Sequence, residues 1–129
     1  MACHLEYNER LAHLVYAGAD LFLMPSWYEP CGLSQMISLR YGTIPVVHNT
    51  GGLADTIVPL SPSAASGNGF IFEDYNVKDL LAAVKAAIKV YHDKNIFPQL
   101  VERGMKLRFS WDHSAKEYQK VFQRCLASG

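Results

Sequence analysis

Apolar residues recur at helical spacing at Leu11, Leu14, Val15 and Ala19, which predicts a helix over roughly 6–18 with Gly18 at its C-terminal cap. The pattern then changes. Leu21-Phe22-Leu23-Met24 is apolar at every position and is stopped by Pro25 and Ser26, as expected of a parallel strand buried on both faces. A helix over Leu33–Arg40, ended by Gly42, leads to a second buried strand, Ile44-Pro45-Val46-Val47. Two such strands with a helix between them form a βαβ unit. Ser61–Gly69 is a loop by composition, and Gly69–Phe72 reads as a third strand. Val77, Leu80, Leu81, Val84, Ile88 and Tyr91 share one helical face, with Asn76 placed to cap it. A helix over about 95–107 and a last one starting near Asp112, its expected N-cap, complete the chain. The last carries Tyr118, Val121, Phe122 and Leu126. Three strands and about five helices predict an α/β fold with a partial doubly wound parallel sheet, about half of a Rossmann-like domain.

At 129 residues the chain suits one domain, and with half its residues hydrophobic it is globular in class. Twelve basic and twelve acidic residues give zero formal charge, which excludes a broad basic nucleic-acid face. No apolar run reaches membrane-spanning length. Met1–Glu6 has the character of neither a signal peptide nor a transit peptide. Three cysteines, Cys3, Cys31 and Cys125, match no metal spacing and point away from a disulfide-built fold.

The chemistry concentrates in Ser26–Gln35, between the first strand and its helix. Open α/β sheets bind ligands at the carboxyl ends of their strands. Gly32 allows close backbone approach, and the free amides of Leu33 and Ser34 at a helix start make an anion site. Each hydrogen bond to a charged group there contributes about 1.5–3 kcal/mol. Glu29 would repel a phosphate in that site unless its carboxylate faced another part of the ligand, such as sugar hydroxyls or a developing positive centre. Read on chemistry alone, the segment is equally an ordinary βα turn with a surface glutamate.

Glu29-Pro30-Cys31-Gly32-Leu33-Ser34-Gln35, followed by Arg40–Val47 and Thr50-Gly51-Gly52-Leu53-Ala54-Asp55-Thr56, closely resembles the starch synthase and bacterial glycogen synthase family. Tyr7-Asn8-Glu9, His13, Tyr16–Asp20 and Phe109-Ser110-Trp111 match it as well, so the resemblance runs from about residue 6 to the C-terminus, and Met1–Leu5 stands outside it. Glu-Pro-x-Gly-Leu alone is common among nucleotide-sugar glycosyltransferases. Cysteine at its third position with Thr-Gly-Gly-Leu at this spacing is specific to this family.

The resemblance implies that residues 1–129 are the second half of the C-terminal Rossmann-like domain of a two-domain GT-B glycosyltransferase, with the N-terminal domain absent. It implies a retaining hexosyltransferase moving glucose from ADP-glucose to the non-reducing end of an α-1,4-glucan, with no metal and no cofactor beyond the donor. By analogy Glu29 lies beside the transferred glucose as the catalytic candidate. Cys31, Gly32, Leu33 and Ser34 line the phosphate and glucose site, Tyr7 stacks on adenine, and Thr50, Gly51 and Gly52 form a second Gly-rich loop closing the donor pocket. Each residue has a plainer reading: Tyr7 as a core-packed helix-start aromatic, Cys31 as a small buried filler, Gly51-Gly52 as a simple turn. His48, His92 and His113 are read as structural or exposed, and Trp27 and Trp111 as packing anchors. The second glutamate that many retaining enzymes carry eight residues on is replaced by Ile37 here, and starch and glycogen synthases generally lack that glutamate too. The family's Lys-x-Gly-Gly-Leu loop and its diphosphate-neutralising Arg and Lys are not on this chain, so the chain alone is expected to be inactive.

Leu33–Arg40 looks like the plant and algal form, which implies a starch synthase in a plastid. A cytoplasmic bacterial-type glycogen synthase is the alternative. A non-catalytic remnant binding glucan, nucleotide or a partner synthase is the reading from another class.

Overall fold

The computed structural model describes residues 2–127, with the side chain of His113 also outside the described set. Helix α1 (Glu9–Gly18) leads to β1 (Leu21–Met24), α2 (Ser34–Tyr41), β2 (Ile44–His48) and α3 (Gly51–Thr56). Then follow β3 (Phe70–Phe72), α4 (Val77–Tyr91), α5 (Ile96–Lys106) and α6 (Trp111–Ala127). The three strands form one parallel sheet in the order β1-β2-β3, pairing Leu21 with Ile44 and Val46 with Phe70.

Strand β2 is central, and Ile44, Pro45, Val46 and Val47 are buried. Proline in a central strand removes a ladder donor. The Ile44 amide bonds to Asp20 on the β1 side. The Pro45 nitrogen therefore faces the opposite side, one position before β3 begins at Phe70, and the sheet loses no bond. The core gathers Leu39, Ile44, Val47, Leu53, Ile57 and Leu100. Helix α4 packs on β3 and β2, while α2 lies against α5 and α1.

Local chemistry accounts for the element ends and for the misplaced ones. Asn8 caps α1 through the Leu11 amide at 2.9 Å, so the helix starts at Glu9 and not near residue 6. Its C-cap is Ala19 in extended backbone, and Gly18 is the last helical residue without a left-handed role. Gly42, at φ +87°, does end α2. Helix α5 carries Pro98, tolerated because it falls in the first turn, where a backbone N–H has no intrahelical partner. The last helix starts at Trp111, with Asp112 inside its first turn, where a negative charge favours the helix dipole; Asp112 is not the N-cap. The 61–69 loop is held by Arg103, whose guanidinium donates to the carbonyls of Gly67, Ala64 and Ala65. On α5, Lys106 holds the exposed Glu102 carboxyl below its usual range by hydrogen bond and charge.

Asn76 caps α4 through the Asp79 amide at 2.9 Å. Asn76→Ala is expected to cost about 1 kcal/mol, read as a lower thermal midpoint with the circular dichroism of the folded state unchanged.

Candidate functional site

A parallel sheet brings the carboxyl ends of its strands, and the turns that follow them, to one edge. The turn after β1 and the turn after β2 meet there. The Gly52 amide donates to the Glu29 carbonyl at 2.9 Å. Two glycines make this approach possible. A Cβ on Gly51, at φ +43°, would lie 2.1 Å from the Glu29 carbonyl oxygen, and a Cβ on Gly52 would lie 1.9 Å from that of Cys31. These are backbone atoms, so any side chain at either position must drive the two turns apart.

Gln35 closes the contact from below. It is 0% exposed, and its Nε2 donates to the carbonyls of Cys31 (3.2 Å) and Gly32 (3.0 Å) and to Thr56 Oγ1 (3.0 Å). Thr56 Oγ1 in turn donates to the Gly52 carbonyl at 2.6 Å. Gln35 Oε1 is buried without a partner among the described residues. An acceptor left in that state costs roughly 1–3 kcal/mol.

The predicted residues fall around this junction. Glu29 is half-buried, Gly32 is buried at φ +68°, and Ser34 opens α2. Leu33 is the N-cap position in helical backbone, with no side-chain capping bond and a side chain 67% exposed. The first bond of α2 runs from the Ile37 amide to the Leu33 carbonyl, leaving the amides before it without an intrahelical acceptor. Thr50 is the N-cap position of α3 and its hydroxyl makes no capping bond. Cys31 is exposed, which removes its reading as a buried filler. Gly51 and Gly52 are not a plain loop, since they start helix α3. Tyr7 is 91% exposed, which removes its reading as a core residue. It lies ahead of α1 in a separate groove of about 290 Å³ with Leu11, Val15 and Phe22, and no described contact joins it to residues 29–34.

Beside the junction, four aromatic rings cluster. Trp27 meets Tyr75 edge-on at 4.7 Å, and His48 stacks on Phe72 at 5.1 Å. His48 is structural, as expected: its Nδ1 donates to the Ser26 carbonyl at 3.0 Å. The Tyr75 hydroxyl donates to the Pro25 carbonyl at 3.0 Å. Trp27 is 72% exposed and Trp111 is likewise exposed, so neither is the packing anchor expected. Among the described residues no three His, Cys, Asp or Glu side chains gather where they could hold a metal ion, and no helix is long and apolar enough to cross a membrane.

Gln35 and Thr56 had no assigned role in the sequence reading. Both lie inside the matching motifs. The available signal was an amide side chain three residues after a glycine, on the turn of α2 that follows the ligand loop.

The sequence profile of the glycosyl transferases group 1 matches residues 4–102. The chain belongs to this family. It is 51% identical over all 129 residues to the glycogen synthase of Kosmotoga olearia, covering 27% of that protein. It is also 51% identical over 123 residues to the glycogen synthase of Bacillus cereus strain Q1, covering 95% of this chain and 26% of the relative. Among solved structures, the catalytic domain of starch synthase IV from Arabidopsis thaliana, bound to ADP and acarbose, superposes with a TM-score of 0.83 at 39% identity. That match covers 95% of this chain and 26% of that one. The parallel sheet is thus that of a GT-B glycosyltransferase fragment, and the chain spans about a quarter of the length of the curated relatives it matches. The Kosmotoga alignment takes in Met1–Leu5, which the sequence reading had set apart. Identity is higher to these bacterial proteins than to the plant synthase, so the plant-form reading of Leu33–Arg40 gains no support.

Proposed function

We propose that this chain forms the donor-binding half of the C-terminal domain of an α-glucan synthase, which moves glucose from ADP-glucose to the non-reducing end of an α-1,4-glucan with retention. The observation that carries the reading is the glycine-only contact of the two turns, Gly51 against Glu29 and Gly52 against Cys31, at the ligand-binding edge of the sheet. The similarity to a synthase bound to ADP and acarbose supports it.

In this mechanism the amides at the start of α2, near Leu33 and Ser34, receive the diphosphate, and the helix dipole favours its negative charge. Gly32 lets the backbone reach it. Glu29 holds glucose hydroxyls and stabilises positive charge developing at the anomeric carbon. Thr50, with a hydroxyl not used in capping, and Gly51 and Gly52 shape the far wall, with Cys31 on the near one. Tyr7, fully presented to solvent, stacks on adenine, an interaction of about 1–3 kcal/mol. The acceptor site and the cations that neutralise the leaving diphosphate belong to the rest of the two-domain enzyme, the cations to the earlier part of this same C-terminal domain. The bacterial identities favour a glycogen synthase working in the cytoplasm over a plastid starch synthase.

The test is glucose transfer by the two-domain enzyme, offered ADP-glucose or UDP-glucose with a malto-oligosaccharide. ADP release with growth of α-linked chains is the expected result. A β-linked product, or no transfer from ADP-glucose, would refute the reading.

A further inference from the structure

We infer that Gln35 is a positioning residue that sets the separation of the two donor-site turns, and that it does so as one latch with Thr56. The inference rests on the donor-site reading above. One amide nitrogen, fully buried, reaches two carbonyls of the first turn and the hydroxyl at the end of α3, and that hydroxyl reaches the Gly52 carbonyl. The two turns have one direct backbone bond, from Gly52 to Glu29. Among the described residues, Gln35 is the side chain that ties the Cys31 and Gly32 carbonyls to the end of α3. The two protons of Nε2 are spread over three acceptors while Oε1 has none. Burial that wastes one acceptor and overuses one donor is poor design for stability, and departures of this kind concentrate at functional sites. The amide orientation follows from its surroundings, because an oxygen in place of Nε2 would face two carbonyls. Gly32 belongs to the same device: a Cβ there would lie 2.5 Å from Gln35 Oε1.

Hydrogen exchange on the 129-residue chain tests the latch without any donor. In Gln35→Leu the Gly52 amide should exchange about tenfold faster, as expected for losing bonds of ordinary strength. The Ile44 amide, in the sheet, should keep its rate. Thr56→Val removes two bonds, the one from Gln35 and the one to Gly52, and leaves Gln35 on the two carbonyls; it should also accelerate exchange at the same amide, and Thr56→Ser should reverse that. Thr56→Val and Thr56→Ser carry the test if Gln35→Leu does not fold. Equal acceleration at Gly52 and Ile44, or none at Gly52, would overturn the inference.

Kinetics of the two-domain enzyme give the functional readout. Gln35→Leu should lower kcat/KM for the donor by about 10–100-fold, since misplacement by an ångström has effects of that size, with KM for the glucan unchanged. Gln35→Glu should lose activity further as pH rises, because the neutral acid can still donate to one carbonyl and the carboxylate repels both. Glucan KM rising in step with the donor's, or a pH profile equal to wild type, would contradict the latch. An enzyme that uses no ADP-glucose would instead defeat the functional reading and leave the exchange result standing.

Discussion

Glu29→Gln is expected to lower glucose transfer about 100-fold or more in the two-domain enzyme, the effect of removing one preorganised electrostatic group at a centre that becomes charged. Glutamine keeps the shape and the hydrogen-bonding reach of the side chain, so the loss isolates the charge. Two features predict that folding is untouched. The carboxylate is half-buried at the edge of the sheet and has no bond or ion pair among the described residues. The tie between the turns uses the Glu29 backbone carbonyl, which the substitution leaves in place. The thermal midpoint should therefore stay within error of wild type while kcat falls, with the donor KM changed much less. Normal turnover by this variant would show that the carboxylate is misassigned.

The second large effect is expected from one methyl group. Gly52→Ala places a Cβ 1.9 Å from the Cys31 carbonyl oxygen, a distance that no rotamer change can relieve because both partners are backbone. The turns must separate, breaking the Gly52–Glu29 bond and pulling on the Gln35–Thr56 bond. Overpacking of this kind costs about 1–3 kcal/mol of stability. The displacement should reduce donor turnover about 100-fold at temperatures where the protein remains folded. Gly18→Ala is the control, since a Cβ there meets nothing within 4 Å. Its helical position favours alanine by roughly 0.5–1 kcal/mol. Equal activity of Gly52→Ala and Gly18→Ala would mean that the contact of the two turns has no part in donor binding.

The strands were legible because a strand buried on both faces is written as an uninterrupted apolar run. Leu21–Met24 and Ile44–Val47 are such runs, and both are strands, paired in parallel; only β2 is buried as expected, since β1 lies at the edge of the three-stranded sheet, half-buried and with Leu23 exposed. The ligand turn was legible for a related reason: Gly32 and the start of α2 follow the first run directly. Helix α3 was missed because it starts with Gly51 and Gly52, the residues least disposed to helix, has no side-chain cap and is six residues long. It forms because its other face is buried: Leu53 and, one turn on, Ile57 are in the core. That i, i+4 apolar pair was the available signal. The role of Gln35 was hidden for a different reason. A glutamine on a helix reads as solvent-facing, and its burial depends on two carbonyls and a hydroxyl that only the assembled turns bring together. Tyr7 shows the reverse limit. Its exposure fits a stacking role, but it stands in its own groove, apart from the junction.

The central claim is that a nucleotide-sugar donor is held between the turn after β1 and the turn after β2. Titration of the isotope-labelled 129-residue chain with ADP-glucose, followed by amide chemical shifts, tests it directly. The account predicts saturable shifts at Glu29–Ser34 and Thr50–Gly52 and at Tyr7, lost in Gly52→Ala. Shifts confined to the opposite end of the sheet, around Asp20, Tyr91 and His92, or no shifts at any concentration, would contradict it.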